Sequence, residues 1–289
     1  MRYYGDVYRP PSEAGSLIIQ ATLGCSNNTC AFCTMYKAKS FYVRPAEDVI
    51  ADLEEMSGVY TAVRRIFLAD GDALAADTEY LTGIVRKCYS LFPKCERVTS
   101  YATPRSIIRK SAEELKAIRE SGLTMLYMGL ESGNDEVLKM MHKGNTAAQI
   151  TDAGIKARSC GFELSVTAIT GLGGTGLMRE HAADTGRVLS RMNPEYIGLL
   201  TLMVSPGTLL EKMIADGSFV LPETDELLEE IQLTVENIDS PGSIFRMNHA
   251  SNYLILRGTF NKDKDRLLRE IEAARQHRIE LRPEYFRGL

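Results

Sequence analysis

Three of the six cysteines fall within nine residues, in the run Gly24-Cys25-Ser26-Asn27-Asn28-Thr29-Cys30-Ala31-Phe32-Cys33. The apolar, β-branched stretch from Ser16 to Thr22 reads as a buried strand, so these thiols leave its end on one loop. Thiolates this close repel one another unless a cation neutralises them, and zinc and an iron-sulfur cluster are the two realistic cations. A closed zinc site takes four ligands. The next cysteine is Cys88 and the first histidine is His142, so no local fourth ligand exists. Three thiolates on a [4Fe-4S] cluster leave one iron open, which suits a cluster that binds a substrate.

The Cys25, Cys30, Cys33 loop after a first strand, with Phe32 just before the last cysteine, resembles the radical S-adenosylmethionine (radical SAM) superfamily. The commonest pattern there is C-x3-C-x2-C; this chain has C-x4-C-x2-C, one residue longer, with the Cys-x-aromatic-Cys half intact. The resemblance implies that the open iron chelates the amino and carboxylate groups of SAM. It also implies an enzyme that cleaves SAM reductively to methionine and a 5'-deoxyadenosyl radical, which abstracts hydrogen from a substrate.

Such chemistry needs a scaffold, and the rest of the chain alternates strand with helix. Strands are expected at 16–22, 65–68, 97–101, 124–129, 163–170 and 196–200. Amphipathic helices are expected at 46–56, 78–91, 111–121, 135–159 with a break near Gly144, and 178–192. Ser111 followed by Glu114 is a capping box, and Asn134 or Asp135 caps the next helix. Six βα repeats imply a parallel sheet with right-handed crossovers, in an α/β barrel or an open doubly wound sheet. With the resemblance, the expectation is a partial (βα)6 radical SAM-type barrel. Its core spans residues 16–210, preceded by a short extension at 1–15 and followed by a helical extension at 211–289 that covers the barrel opening.

Ligands gather at the C-terminal ends of the strands in either architecture, and polar motifs fall there. Asp70-Gly71-Asp72 follows the second strand and serves equally as a turn with an N-cap or as a site for an ammonium group. It looks like the superfamily's Gly-Gly-Glu motif with Asp70 in place of the first glycine, which favours the SAM ammonium. Glu131 and Ser132 follow the fourth strand. The segment from Met128 to Asn134, with Lys139 and Lys143 downstream, is similar to the branch containing oxygen-independent coproporphyrinogen oxidase and methylthiotransferases, where the acidic residue holds SAM's ribose.

Gly171-x-Gly173-x-x-Gly176 matches a dinucleotide fingerprint but follows the fifth strand, so it reads as a turn that lets SAM approach at Gly173. Arg179 is either a partner for the methionine carboxylate or a solvent-facing helix residue. By the resemblance, Pro206 lies near the adenine and Phe32 gives backbone contacts to its edge. The aromatic stretch from Tyr4 to Pro11 closes the barrel's bottom or covers its mouth. In the stretch from Phe245 to Tyr253, hydrogen-bonding side chains concentrate, making Arg246, Asn248, His249 and Asn252 candidates for substrate contact. Over this stretch, Tyr36 and the C-terminal helix, the chain is similar to radical SAM proteins labelled Fe-S oxidoreductases.

With 289 residues, 44% of them hydrophobic, the chain buries a sizeable core. A net charge of -4 and the absence of a basic block argue against nucleic acid as a partner. No apolar signal core or 18-residue apolar run occurs, which points to a cytoplasmic protein away from membranes. Cys88, Cys95 and Cys160 lack metal-like spacing and read as reduced, buried thiols. The expected cofactors are a [4Fe-4S] cluster and SAM, the expected electron donor flavodoxin or ferredoxin, and the expected setting anaerobic. A small-molecule substrate is expected. The alternatives are porphyrinogen-type oxidative decarboxylation, RNA or protein modification, and, from another class, an iron-sulfur or zinc protein of electron transfer or assembly.

Overall fold

A computed structural model describes residues 1 and 3–288. The backbone forms two compact units, one of Met1–Asn28, Met35–Met128 and Ala153–Leu164, the other of Thr29–Thr34, Gly129–Asp152 and Ser165–Leu289. The elements in chain order are β1 (Leu17–Gln20), β2 (Thr22–Leu23), β3 (Tyr42–Val43), α1 (Ala46–Val59), β4 (Arg65–Ala69), α2 (Thr78–Leu91), β5 (Arg97–Tyr101), α3 (Pro104–Arg109), α4 (Ala112–Glu120) and β6 (Leu123–Glu131). There follow α5 (Asp135–Met140), α6 (Ala147–Ser159), β7 (Glu163–Thr170), α7 (Met178–Met192), β8 (Tyr196–Thr201), α8 (Leu209–Ala215), α9 (Thr224–Glu236), β9 (Ile244–Met247), β10 (Leu256–Thr259) and α10 (Lys264–Arg275).

In the first unit β1, β4, β5 and β6 lie side by side and parallel. Ile66, Phe67, Leu68 and Ala69 of β4 are all fully buried, as a strand covered on both faces requires. In the second unit β7, β8 and β9 are parallel and β10 pairs antiparallel with β9. Helix α9 packs on α7 and α10. Parallel strands alternating with helices make this the α/β class expected, and the strand order within each unit is that of a partial (βα)6 fold.

Local chemistry places the elements where the sequence put them. Ser111 and Glu114 form the reciprocal capping box of α4, and Asn134 accepts from the Glu136 and Val137 amides at the start of α5. The break after α5 comes at His142 and Gly144, both with positive φ. Two expectations need correction. The first strand is interrupted after Gln20, because Thr22 and Leu23 turn away to pair with Val43 and Tyr42. The segment after 210 is not helical throughout, since it also supplies β9 and β10.

Candidate functional site

The first unit carries Cys25 and the Asp70-Gly71-Asp72 turn. Gly24 sits at φ +71 with the Lys39 and Ser40 backbone about it, which turns the chain out of β2 into Cys25. The Gly71 amide donates to the Gly24 carbonyl at 2.9 Å, and the Cys25 thiol lies 4.0 Å from the Gly71 carbonyl. A Cβ at Gly71 would sit 2.9 Å from Cys25 Cβ and 2.7 Å from the buried Tyr36 ring, so only glycine brings this backbone against Cys25.

Both flanking carboxylates are bonded within the frame, so of the carboxylates and carbonyls that the segment offers, the carboxylates already have partners. Asp70 is fully buried and accepts from Gln20 Nε2 at 3.1 Å, the Gly24 amide at 3.0 Å and Lys39 Nζ at 3.0 Å. Asp72, equally buried, accepts from Ser26, from the Thr103 amide at 3.0 Å, Thr103 Oγ1 at 2.8 Å and Ser106 Oγ at 2.7 Å. Burial pushes the Asp72 carboxyl above its ordinary value, against the pull of those donated bonds. Ser26 follows Cys25 directly, so Asp72 ties the start of the cysteine loop to the turn between β5 and α3.

The second unit carries Cys30 and Cys33. Between them Ala31 is clamped by backbone: its amide donates to the Met141 carbonyl at 3.0 Å and its carbonyl accepts from the Leu210 amide at 3.0 Å. Ala31 is buried in an apolar cluster with Val137, Met141, Leu172, Leu202 and Leu210, and Phe32 packs against that cluster. Cys30 is buried and Cys33 half-buried.

Glu131 ends β6 at φ +64. Its carboxylate folds back over Gly129, where any Cβ would lie 2.0 Å from Glu131 Oε1, and pairs with Lys143 Nζ at 2.9 Å. Ser132 is instead fully buried, its hydroxyl 2.7 Å from His181 Nδ1, so its side chain belongs to the frame. His181 Nε2 lies 3.0 Å from the Ile169 carbonyl and 3.2 Å from Glu230 Oε1, which also accepts from the Gly171 amide at 2.8 Å. Donation from Nε2 leaves Nδ1 to accept from Ser132.

Three of the glycines of 171–176, Gly171, Gly173 and Gly174, meet close neighbours, while a Cβ at Gly176 would meet nothing within 4 Å. Gly171 has φ +86, a Cβ at Gly173 would lie 3.0 Å from the Leu177 carbonyl, and one at Gly174 2.9 Å from that of Val220. Pro206 lies on an exposed turn whose Gly207 amide bonds Glu211. Arg179 stands as the second of its two readings has it, on the helix surface: its side chain is 68% exposed and its guanidinium pairs with Glu229.

Of the substrate candidates, Asn252 is buried, donating to the Leu199 carbonyl at 3.0 Å and accepting from Thr201 Oγ1 at 3.0 Å, so it too is frame. His249 Nδ1 accepts from the Ser251 amide at 3.1 Å, while Arg246 and Asn248 are exposed. Sequence reasoning missed His181 and Glu230 altogether. A histidine on a helix face and a glutamate in an acidic helix carry no local signal of their partnership.

The description that matches residues 19–187 is the radical SAM superfamily. The chain belongs to that superfamily. As a radical SAM protein it works with a [4Fe-4S] cluster and SAM in SAM-dependent radical chemistry. Among relatives, it is 22% identical over 182 residues to the heme chaperone HemW of Bacillus subtilis, covering 62% of this chain and 47% of that one. It is 25% identical over 238 residues to a tRNA-2-methylthio-N(6)-dimethylallyladenosine synthase of Prosthecochloris aestuarii, covering 79% of this chain and 52% of that one. The radical SAM chain thus spans about half the length of these relatives. Its fold is shared with the coproporphyrinogen III oxidase HemN of Escherichia coli, with a TM-score of 0.57 at 19% identity over 76% of this chain and 51% of that one.

The donor chemistry of the loop fits the cluster. Three thiols are soft ligands suited to iron-sulfur coordination. Among the described residues no group of three or more Cys, His, Asp or Glu side chains is gathered as a single metal ion would require. Among the same residues, no helix is long and apolar enough to cross a membrane.

Proposed function

We propose that Cys25, Cys30 and Cys33 hold the [4Fe-4S] cluster and that the chain is an enzyme acting on a small-molecule substrate. When bound, the cluster and SAM supply a 5'-deoxyadenosyl radical for hydrogen abstraction. The observation that carries the reading is how the thiols are held. Cys25 is set by the Gly24–Gly71 backbone contact and by Ser26 on Asp72, and the Cys30–Cys33 half by the clamp on Ala31.

The chain's own residues then bind and orient. The carbonyls of Asp70 and Gly71, freed from competition by the internal bonding of the two carboxylates, accept from the SAM ammonium. Glu131, positioned by Lys143 and by its left-handed backbone, accepts from the ribose hydroxyls. Gly173 and Pro206 shape the turns beside the nucleoside, and Phe32 offers its backbone to the adenine edge. The Ser132–His181–Glu230 chain holds the turns that follow β6 and β7. Arg179 has no part in this arrangement. A flavodoxin or ferredoxin delivers the electron in the cytoplasm.

Electron paramagnetic resonance of the anaerobically reconstituted, reduced protein tests the ligand set. The wild type should show a [4Fe-4S] signal that changes on addition of SAM. Cys25→Ala, Cys30→Ala and Cys33→Ala should each lose the signal. A wild-type signal indifferent to SAM would remove the catalytic reading in favour of electron transfer or assembly.

A further inference from the structure

One face of the second unit's sheet is half open and carries side chains that the proposed chemistry leaves unused. Thr167 and Ile169 on β7 and Tyr196 and Gly198 on β8 are partly exposed, while the alternate residues, such as Ala168 and Ile197, are buried. Strand register aligns four positions of the open face in a row. Thr167 is the partner of Gly198, Gly198 of Arg246, and Arg246 of Arg257 across the β9–β10 hairpin. Neighbouring strands lie about 4.8 Å apart, so the row spans roughly 15 Å.

Two arginines are register partners across the hairpin at its end. Arg246 Nη1 is steadied by the Phe245 and Gly258 carbonyls at 2.7 and 3.4 Å, and both arginines are exposed. Neither has a carboxylate partner among the described residues. Nearby Arg266 donates to the Arg257 carbonyl at 2.7 Å, and its own charge is answered by Glu270 and Asp263. Like charges directly opposed on a hairpin destabilise it, a cost that a bound anion would remove. Beside Arg246, Gly198 leaves room: a Cβ there would meet only Thr167 Oγ1 at 3.7 Å and the Val166 carbonyl at 3.9 Å, both ordinary contacts.

We propose that this row recognises an anionic group, carboxylate or phosphate, on the substrate. Arg246 and Arg257 fork its oxygens, Thr167 offers a hydroxyl, and the width left by Gly198 admits the group that bears the anion. The proposal names the substrate class of the enzyme proposed above and depends on that reading for its catalytic meaning, but anion binding can be measured without turnover.

The test is isothermal titration of the anaerobically reconstituted protein, without SAM or reductant, using pyrophosphate in one arm and tricarballylate in the other. One probe should bind and raise the Tm, the stronger arm distinguishing phosphate from carboxylate recognition. Arg246→Gln with Arg257→Gln should weaken that probe at least about tenfold, as loss of charge-assisted hydrogen bonds does. Gly198→Val, whose Cβ fits and whose branching suits a strand, should weaken it comparably by filling the gap while the unliganded Tm stays at the wild-type value or above. No binding of either probe, or binding that the variants leave unchanged, would overturn the proposal. Anion binding in a protein that never yields 5'-deoxyadenosine would sustain this site and sink the enzyme reading; 5'-deoxyadenosine without anion binding would do the reverse.

Discussion

Asp72 shows how a residue legible as chemistry becomes, in the fold, part of the support for chemistry. Its position after β4 was readable from sequence, but its four donors were not, because Ser26 lies on the cysteine loop and Thr103 and Ser106 at the start of α3, both far from Asp72 in the chain. The same holds for Asp70, whose partners Gln20 and Lys39 lie far away in the chain. Replacing Asp72 by Asn leaves too few acceptors for those donors. The expected loss is about 1–3 kcal/mol in urea unfolding at neutral pH, with lower iron retention because Ser26 is released. The folded carboxyl titrates above its ordinary 3.8, so its linkage contribution to stability is full below 3.8 and is lost as pH rises through the folded value. The deficit of Asp72→Asn relative to wild type should therefore widen as pH is lowered from 7 toward 4. A deficit that narrows instead would contradict the assigned direction.

At the scale of elements, strands such as β5 and β7 and helices such as α2 and α7 were legible to the residue, since hydrophobic period and caps are local signals. The β9–β10 hairpin was not, because eight residues separate its strands and no two-residue turn marks it. Nor was the two-residue pairing of β2 with β3, whose partners are too short to show a period. The loop after β9 is held by the chain's end. Arg282 Nη1 donates to the carbonyls of His249, Ala250 and Asn252 at 2.8, 2.7 and 2.9 Å, and Arg287 donates to those of Ser251 and Leu202. Burial first, then the Arg282 charge, lowers the His249 pKa from 6.5, so its contribution to stability is present above pH 6.5 and fades as pH falls through the folded value. Protonation also removes the acceptor for the Ser251 amide. Hydrogen exchange in residues 248–253 should rise as pH is lowered below about 6.5 after correction for intrinsic rates, and Arg282→Ala should raise it already at pH 8. Exchange that is flat across both changes would contradict this account of the loop.

Over the whole molecule, the sequence carried the superfamily through one loop and the α/β class through its alternation of elements, since both are written in local patterns. What it left unread was which polar groups meet across the fold, and so which motif residues face a ligand and which hold one another. The net charge of -4 is compatible with a local cationic row, because charge balance over 289 residues says nothing of how two arginines pair across a hairpin. Reductive cleavage of SAM through the cysteine loop is the activity proposed for this chain. The most direct measurement is mass-spectrometric detection of 5'-deoxyadenosine after anaerobic reconstitution with iron and sulfide and addition of dithionite and SAM. 5'-Deoxyadenosine is expected from the wild type and none from Cys30→Ala; a wild type that carries an intact cluster yet yields none, or a variant that matches the wild type, would rule this activity out.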